Sequence, residues 1–432
     1  HGCRRRAYRD VFTAVPQTNS HRSLRLRNCI FIKAALQTFL FEIRKRMKNK
    51  TNSSCLNILT RAAMALPALA QLANADAPSQ KTEIGYRYSQ YEEDKLNQAD
   101  ILSGSNERYS VDNQQFRLVT PIASDMSLSV DATYETMSGA SAYGTALDGQ
   151  GEHKLVMSGA SIKDTRSDVQ ASIRKNNENN ATTLSGGYSH EDDYVSYNVG
   201  IEGEWSAPDR RSTWSGGLEY SQDSVNPEPV AGVKRVTDED RHALSGFFAL
   251  ANVVNSVWQI QGGMFFAQNS GYLDDPYKSR DFRPEKRAAW GLNINSRYFV
   301  RAVKAALHTD YRFYSDDWGV EAHTLELAWH QSLTDQIRVV PRIRYYSQSQ
   351  ADFYVDADSG ERDGHQSSDY RLSPFGAMSY GASVIFDQGA YQFTLAAEQY
   401  DSDGKYALKK VDIESPALVD YTLLTFGIDY RF

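Results

Sequence analysis

The chain has 432 residues, 41% apolar and 23% charged, with Lys+Arg 47 against Asp+Glu 54, a length that suits two domains or one large β-barrel. Its first 75 residues hold 14 Lys/Arg and 2 Asp/Glu, which leaves 33 against 52 beyond them, so the body is acidic and lacks the basic patch of a nucleic-acid footprint. Cys3, Cys29 and Cys55 are the only cysteines and no run of 18 apolar residues occurs; disulfides, thiolate metal sites and haem attachment are excluded from the body, and a spanning helix from the whole chain.

In chain order, residues 1–46 are rich in unpatterned Arg and read as translated upstream sequence or a disordered basic arm. Residues 47–75 read as a cleavable secretory signal. Lys48, Lys50 and Arg61 form the positive region and 62–72 the short apolar core. Cleavage is expected after Ala75 or Ala77, since small residues flank both positions. Residues 76–432 then form the mature protein.

From residue 84 onward apolar side chains recur at every second position, the period of a strand. Leu128, Val130, Ala132 and Tyr134 alternate with polar residues, as do Trp290, Leu292 and Ile294. In 336–348 one face is Ile337, Val339, Pro341, Ile343 and Tyr345, and the other carries Arg338, Arg342, Arg344 and Gln348. A soluble sandwich also alternates, but so many fixed charges on the polar face suit a wall with lipid outside and water inside. The chain ends on Leu424, Phe426, Ile428, Tyr430 and Phe432, one apolar face. That ending resembles the terminal signal read by the outer-membrane barrel assembly machinery.

Short connections are expected near 123–125, 176–180, 208–211, 254–255, 300–303, 334–335 and 387–389. Longer ones are expected at 93–110, 137–166, 223–240, 269–286, 350–371 and 401–418, with tight turns at 191–193 and 315–319. Taking 137–166 as one irregular loop folded into the mouth keeps the up-down order. The fold expected is therefore all-β: a single transmembrane antiparallel up-and-down barrel of about 16 strands with long extracellular loops. Such a barrel is wide enough for an aqueous channel. Outer-membrane lipids are then its first partners, and no nucleic acid is expected.

The inner face of 304–348 carries a ladder of His308, Asp310, Arg312, Glu326, His330, Arg338, Arg342 and Arg344. Hairpin arithmetic sets His308 opposite Glu326, Glu326 opposite Arg342 and His330 opposite Arg338. The ladder is either a solvated charge lining or a selectivity patch. Asp356, Asp358 and Asp363 make a loose calcium-like loop without the closing Glu of an EF-hand. No nucleophile motif occurs, so neither enzyme activity nor a cofactor is expected.

Gly271–Lys278, Arg283-Pro284 with Arg287, Tyr311–Tyr314, Asp316–Gly319, Arg344–Gln348 and Ala351–Tyr354 resemble a bacterial family known as domain of unknown function 3570. Ser158–Ser161 with Asp164 and Arg166, and Ser189 with Glu191, Asp193 and Tyr194, resemble it too. The resemblance implies an exported Gram-negative outer-membrane barrel without assigned activity. It also suggests the company of envelope flavin-transfer and thioredoxin-like proteins. Its marked residues, Asp164, Arg166, Asp274, Asp275, Lys278, Arg283, Arg287, Asp316, Asp317 and Trp318, fall at expected outer strand ends and loops and would gather at one mouth. Two functions stay open: a porin-like channel with a charged lumen, or a non-conducting barrel serving as scaffold to an envelope redox or flavin-related partner.

Overall fold

The chain divides into two compact units, 1–51 and 52–432, and every residue described here belongs to the second. The computed structural model describes 81–432 except 161, 228–234, 279 and 359–363. The leader and the cleavage positions therefore lie outside the described residues, as does Asp363.

The strands are β1 (Glu83–Glu93), β2 (Ile101–Ser103), β3 (Ser110–Pro121), β4 (Met126–Gly139), β5 (Ala142–Leu147), β6 (His153–Met157), β7 (Ile162–Asn176), β8 (Asn180–His190), β9 (Tyr194–Ser206) and β10 (Ser212–Val225). They continue with β11 (Glu239–Asn255), β12 (Trp258–Gly271), β13 (Lys286–Val300), β14 (Ala305–Asp316), β15 (Glu321–Ser332), β16 (Ile337–Gln348), β17 (Phe375–Gln388), β18 (Tyr391–Asp403) and β19 (Tyr421–Arg431). Sixteen of them close into one antiparallel barrel: β1, β3, β4, and β7 through β19 back to β1. The seam runs from Ile84 opposite Tyr430 to Glu93 opposite Tyr421. Closure leaves no strand edge unpaired.

Alternation decides which face is which. Leu184, Val199, Ile201, Leu218, Leu292, Leu395, Leu424 and Phe426 stand exposed on the outside, where only a lipid phase would receive so continuous an apolar belt. Trp205, Trp214, Trp258 and Tyr298 border it near strand ends. In β16 the outward face includes Pro341; the β15–β16 ladder skips that rung, because proline has no N–H to give.

All seven short connections sit at one end of the barrel and the longer loops at the other. Both chain ends of the barrel meet at the short-turn end, where Thr82 and Phe432 exchange backbone hydrogen bonds of 3.0 and 2.9 Å. The connection between β4 and β7 differs from expectation. It is not irregular: β5 and β6 form a hairpin, and β2 adds alongside β6 to give a three-stranded sheet. Leu155 and Met157 are buried by that pairing among Ala140, Ala142 and Ala417.

Candidate functional site

The inner wall is built from the polar alternates of the strands. Several of its arginines lean onto carboxylates of the same or nearby strands: Arg117 on Asp131 at 3.8 Å, Arg166 on Glu135 at 3.4 Å, Arg174 on Glu204 at 2.5 Å, Arg241 on Asp223 at 2.8 Å and Arg297 on Asp310 at 2.5 Å. Arg342 reaches past β17 to Glu398 on β18. Gly381 is the intervening residue, and a Cβ there would sit 3.6 Å from the Arg342 guanidinium.

The predicted ladder lies on one inner face, but its rungs are shifted by two residues. Asp310, not His308, stands opposite Glu326, and His308 stands opposite Ala328. Glu326 faces Arg344 rather than Arg342, and Arg338 faces Ser332 rather than His330. The cause is local. Asp316 N–H donates to Val320 O and Gly319 takes φ +86, so the β14–β15 turn centres one residue later than the arithmetic assumed. The β15–β16 turn, closed by Leu333 N–H onto Ile337 O, does the same. The shift brings His308 and His330 together, ring centroids 3.8 Å apart.

Over the long-loop end the connections pack into a cap. The loop after β12 reaches the β4–β7 connection, Lys278 Nζ donating to Ala142 O at 3.1 Å. The loop after β16 reaches it too. Asp358 N–H donates to Thr145 O at 2.7 Å, and Thr145 N–H to Ser368 Oγ at 3.4 Å. Five strand positions separate β7 from β12, and five separate β17 from β4. At the usual strand spacing each interval spans about 24 Å of wall, so the loops meet by crossing the mouth rather than by following its rim. Two apolar clusters hold them: Leu273, Trp318, Val320, Ala351, Tyr354 and Leu372 form one, and Tyr370 packs on the other, around Leu155.

Between these clusters lies a buried ionic network. Arg283 bridges Asp281 and Asp369, each at 2.8 Å, and Arg371 bridges Asp275 at 2.8 Å and Asp369. Burial works to raise the Asp369 carboxyl, but Arg371, Lys278 and Arg283 outweigh it and hold the group well below the usual carboxylate range. Asp275 is lowered in the same way by Arg371 and Lys278 against its burial. Asp274 goes the other way. Burial, with Asp281 adding to it, pushes it up to about 6 although it accepts the Arg283 N–H at 2.6 Å.

The ten residues expected at one mouth divide into three groups. Asp274, Asp275, Lys278 and Arg283 enter the cap network. Arg287 pairs with Asp316 at 2.5 Å beneath Trp318, its guanidinium 4.4 Å from that ring, while Asp317 accepts the Ala288 N–H at 2.9 Å. Arg166 belongs to a separate cluster with Glu135 and, at 3.7 Å, Glu191, while Asp164 on the same strand accepts the Thr165 N–H. Asp281, Asp369 and Arg371 were missed. They lie in loops, where no periodicity marks a buried position. Among the described residues no group of three His, Cys, Asp or Glu is placed to hold a metal, and Asp358 is bound into the cap through its backbone.

Several solved structures are similar in shape. A bacterial polysaccharide outer membrane secretin matches with TM-score 0.46 and 9% identity, over 81% of this chain and 98% of that one. CdiB from Acinetobacter baumannii matches with TM-score 0.45 and 8% identity, over 82% of this chain and 60% of that one. A mutant ferric enterobactin receptor from Pseudomonas aeruginosa matches with TM-score 0.41 and 11% identity; 74% of this chain covers 53% of the receptor, about half its length. No curated protein sequence matches. The family model described as protein of unknown function (DUF3570) matches residues 56–413, most of the chain, and the chain belongs to that family.

Proposed function

We propose that this protein is an outer-membrane channel for small solutes, wet along its lumen and closed at the loop end by a cap that must shift for passage. The observation that carries this reading is the exposure of charged side chains on the inner face. The Arg342 side chain is 40% exposed although it points into a closed wall, and Arg344 beside it is exposed too. Guanidinium groups keep that much free surface inside a barrel only where the interior holds water. The apolar outer belt, which includes Leu424, Phe426, Ile428 and Tyr430 of β19, supports placement in a Gram-negative outer membrane.

A specific observation also favours the second reading, a non-conducting scaffold: the cap holds two buried apolar clusters and a buried ionic network. Single-channel recording in planar bilayers separates the two, using the full chain beside a variant in which 141–160 is replaced by a short Gly/Ser linker. Brief openings in the intact protein and steady current in the variant are expected. If neither conducts, the channel reading fails and the scaffold stands.

A further inference from the structure

Two arginines of the wall just beneath the cap have no carboxylate partner among the described residues. One rung of the barrel runs Glu326, Arg344, Ser379, Tyr400, Tyr421 and Glu93 across β15 to β19 and β1. The neighbouring rung runs Arg342, Gly381, Glu398. In both, a small residue on β17 stands between an arginine of β16 and β18. Arg342 finds a carboxylate there. Arg344 has Tyr400 on its rung beyond Ser379, and among the described residues it makes no hydrogen bond or salt bridge. Glu326 stands opposite it in register but forms no salt bridge with it. Arg312, one rung toward the cap and in register with Thr324 and then Tyr346, has no carboxylate either; its guanidinium lies 4.8 Å from the Phe265 ring.

Not every charge at this level is paired. Arg342 is neutralised by Glu398 and Arg297 by Asp310. Arg312 and Arg344 have no salt-bridge partner among the described residues. Beside them the rings form a floor. Tyr400 and Tyr421 stack at 4.6 Å with planes 11° apart, and Tyr91 continues the row at 4.7 Å from Tyr421. These rings are only partly buried; Tyr421 is flanked by Tyr400 and Tyr91, so a further ring would extend the row at Tyr400.

We infer that Arg344 and Arg312, with Tyr346, Tyr400 and Tyr421, form a lumen binding site for a small monoanion carried on a flat unsaturated ring, such as an aromatic carboxylate. The carboxylate takes the guanidinium fork of Arg344, which presents paired donors to planar oxyanions. The ring stacks on the tyrosine row at the offset distances aromatic pairs adopt. This assignment rests on the water-filled lumen proposed above and names what that lumen selects.

The test is calorimetric titration of the full chain in detergent micelles with 2-naphthoate, cyclohexanecarboxylate and 2-naphthol. Naphthoate is expected to bind at least about tenfold more tightly than the saturated anion or the uncharged ring, since each lacks one of the two contacts worth about 1.4 kcal/mol or more. Arg344→Gln and Tyr400→Leu should each weaken naphthoate by a similar factor, while Arg117→Gln, on a paired cation of β3, should not. No heat with naphthoate, equal binding of the three probes, or indifference to both substitutions would each overturn the site. Conductance measured on the same preparations keeps the two readings apart. A silent barrel that binds naphthoate loses the channel and keeps the site; a conducting barrel that ignores naphthoate loses only the site.

Discussion

Arg283 and Asp369 are 86 residues apart in the chain and meet at 2.8 Å with side chains 3% and 0% exposed. A pair so dry is costly to form and costlier to break from one side, because the survivor is left buried and uncompensated.

Asp369→Ala should therefore open the cap without unfolding the barrel. It removes the carboxylate shared by Arg283 and Arg371, leaving each with one partner, Asp281 and Asp275, and two buried cations side by side; the expected loss is about 3 kcal/mol of cap stability. Limited proteolysis should cut the 349–374 loop many times faster than in the parent, while unboiled samples keep the gel mobility of a folded barrel. Unchanged cutting would show that the network does not hold the cap.

The cap should also respond to pH in two windows. Asp274 has a folded value of about 6, above its ordinary 3.8, so its contribution is complete below about pH 4 and lost as pH rises through about 6. Asp275 and Asp369 are lowered, so theirs is present above about pH 4 and lost in more acid solution. Hydrogen exchange in 272–285 should accelerate from about pH 5 to 7 beyond its intrinsic trend, and Asp274→Asn should remove that excess. A parent and variant with the same profile would refute the assignment.

Leu155 is wholly buried in the second cluster of the cap. Leu155→Ala removes its packing on Met157 and Ala417 and should cost the cap about 2–5 kcal/mol. Proteolysis within 140–161 reports it, and the barrel's own resistance to urea should not change.

Arg342→Glu sets a second carboxylate against Glu398 in the lumen. Permeation should move toward cations, as carboxylate-lined constrictions do, and the reversal potential under a salt gradient reads the change directly. A potential identical to the parent's would place the filter elsewhere.

On the outer face Leu395 is 63% exposed. Leu395→Arg should cost about 2–4 kcal/mol if that position lies near the bilayer midplane, measured by urea unfolding in lipid vesicles. A neutral result would argue that β18 does not face lipid there.

The wall of this protein was legible in the sequence because a strand with lipid on one side and water on the other must alternate. Leu292 and Ile294, Ile343 and Tyr345, and the terminal Leu424, Phe426 and Ile428 announce their face by period alone. Sixteen strands followed from counting the short turns. The ladder's face was legible for the same reason, and its pairings were not: one residue of turn geometry at Gly319, and one more at the β15–β16 turn, move the rungs on either side of β15 by two.

The cap lay beyond such reading. Asp281, Asp369 and Arg371 carry no period, and their partners come from loops rooted five strands apart, so only the closed barrel brings them over one opening. The same holds for Arg344. Composition and alternation put it inside the wall, but that Glu398 falls to Arg342 and Tyr400 to Arg344 depends on strand register. The sequence by itself determined an alternating, closed, membrane-type wall. Tertiary structure decided which charges are paired, which are left to a ligand, and what covers the mouth, because burial and long-range contact are properties of the closed barrel and not of any local stretch.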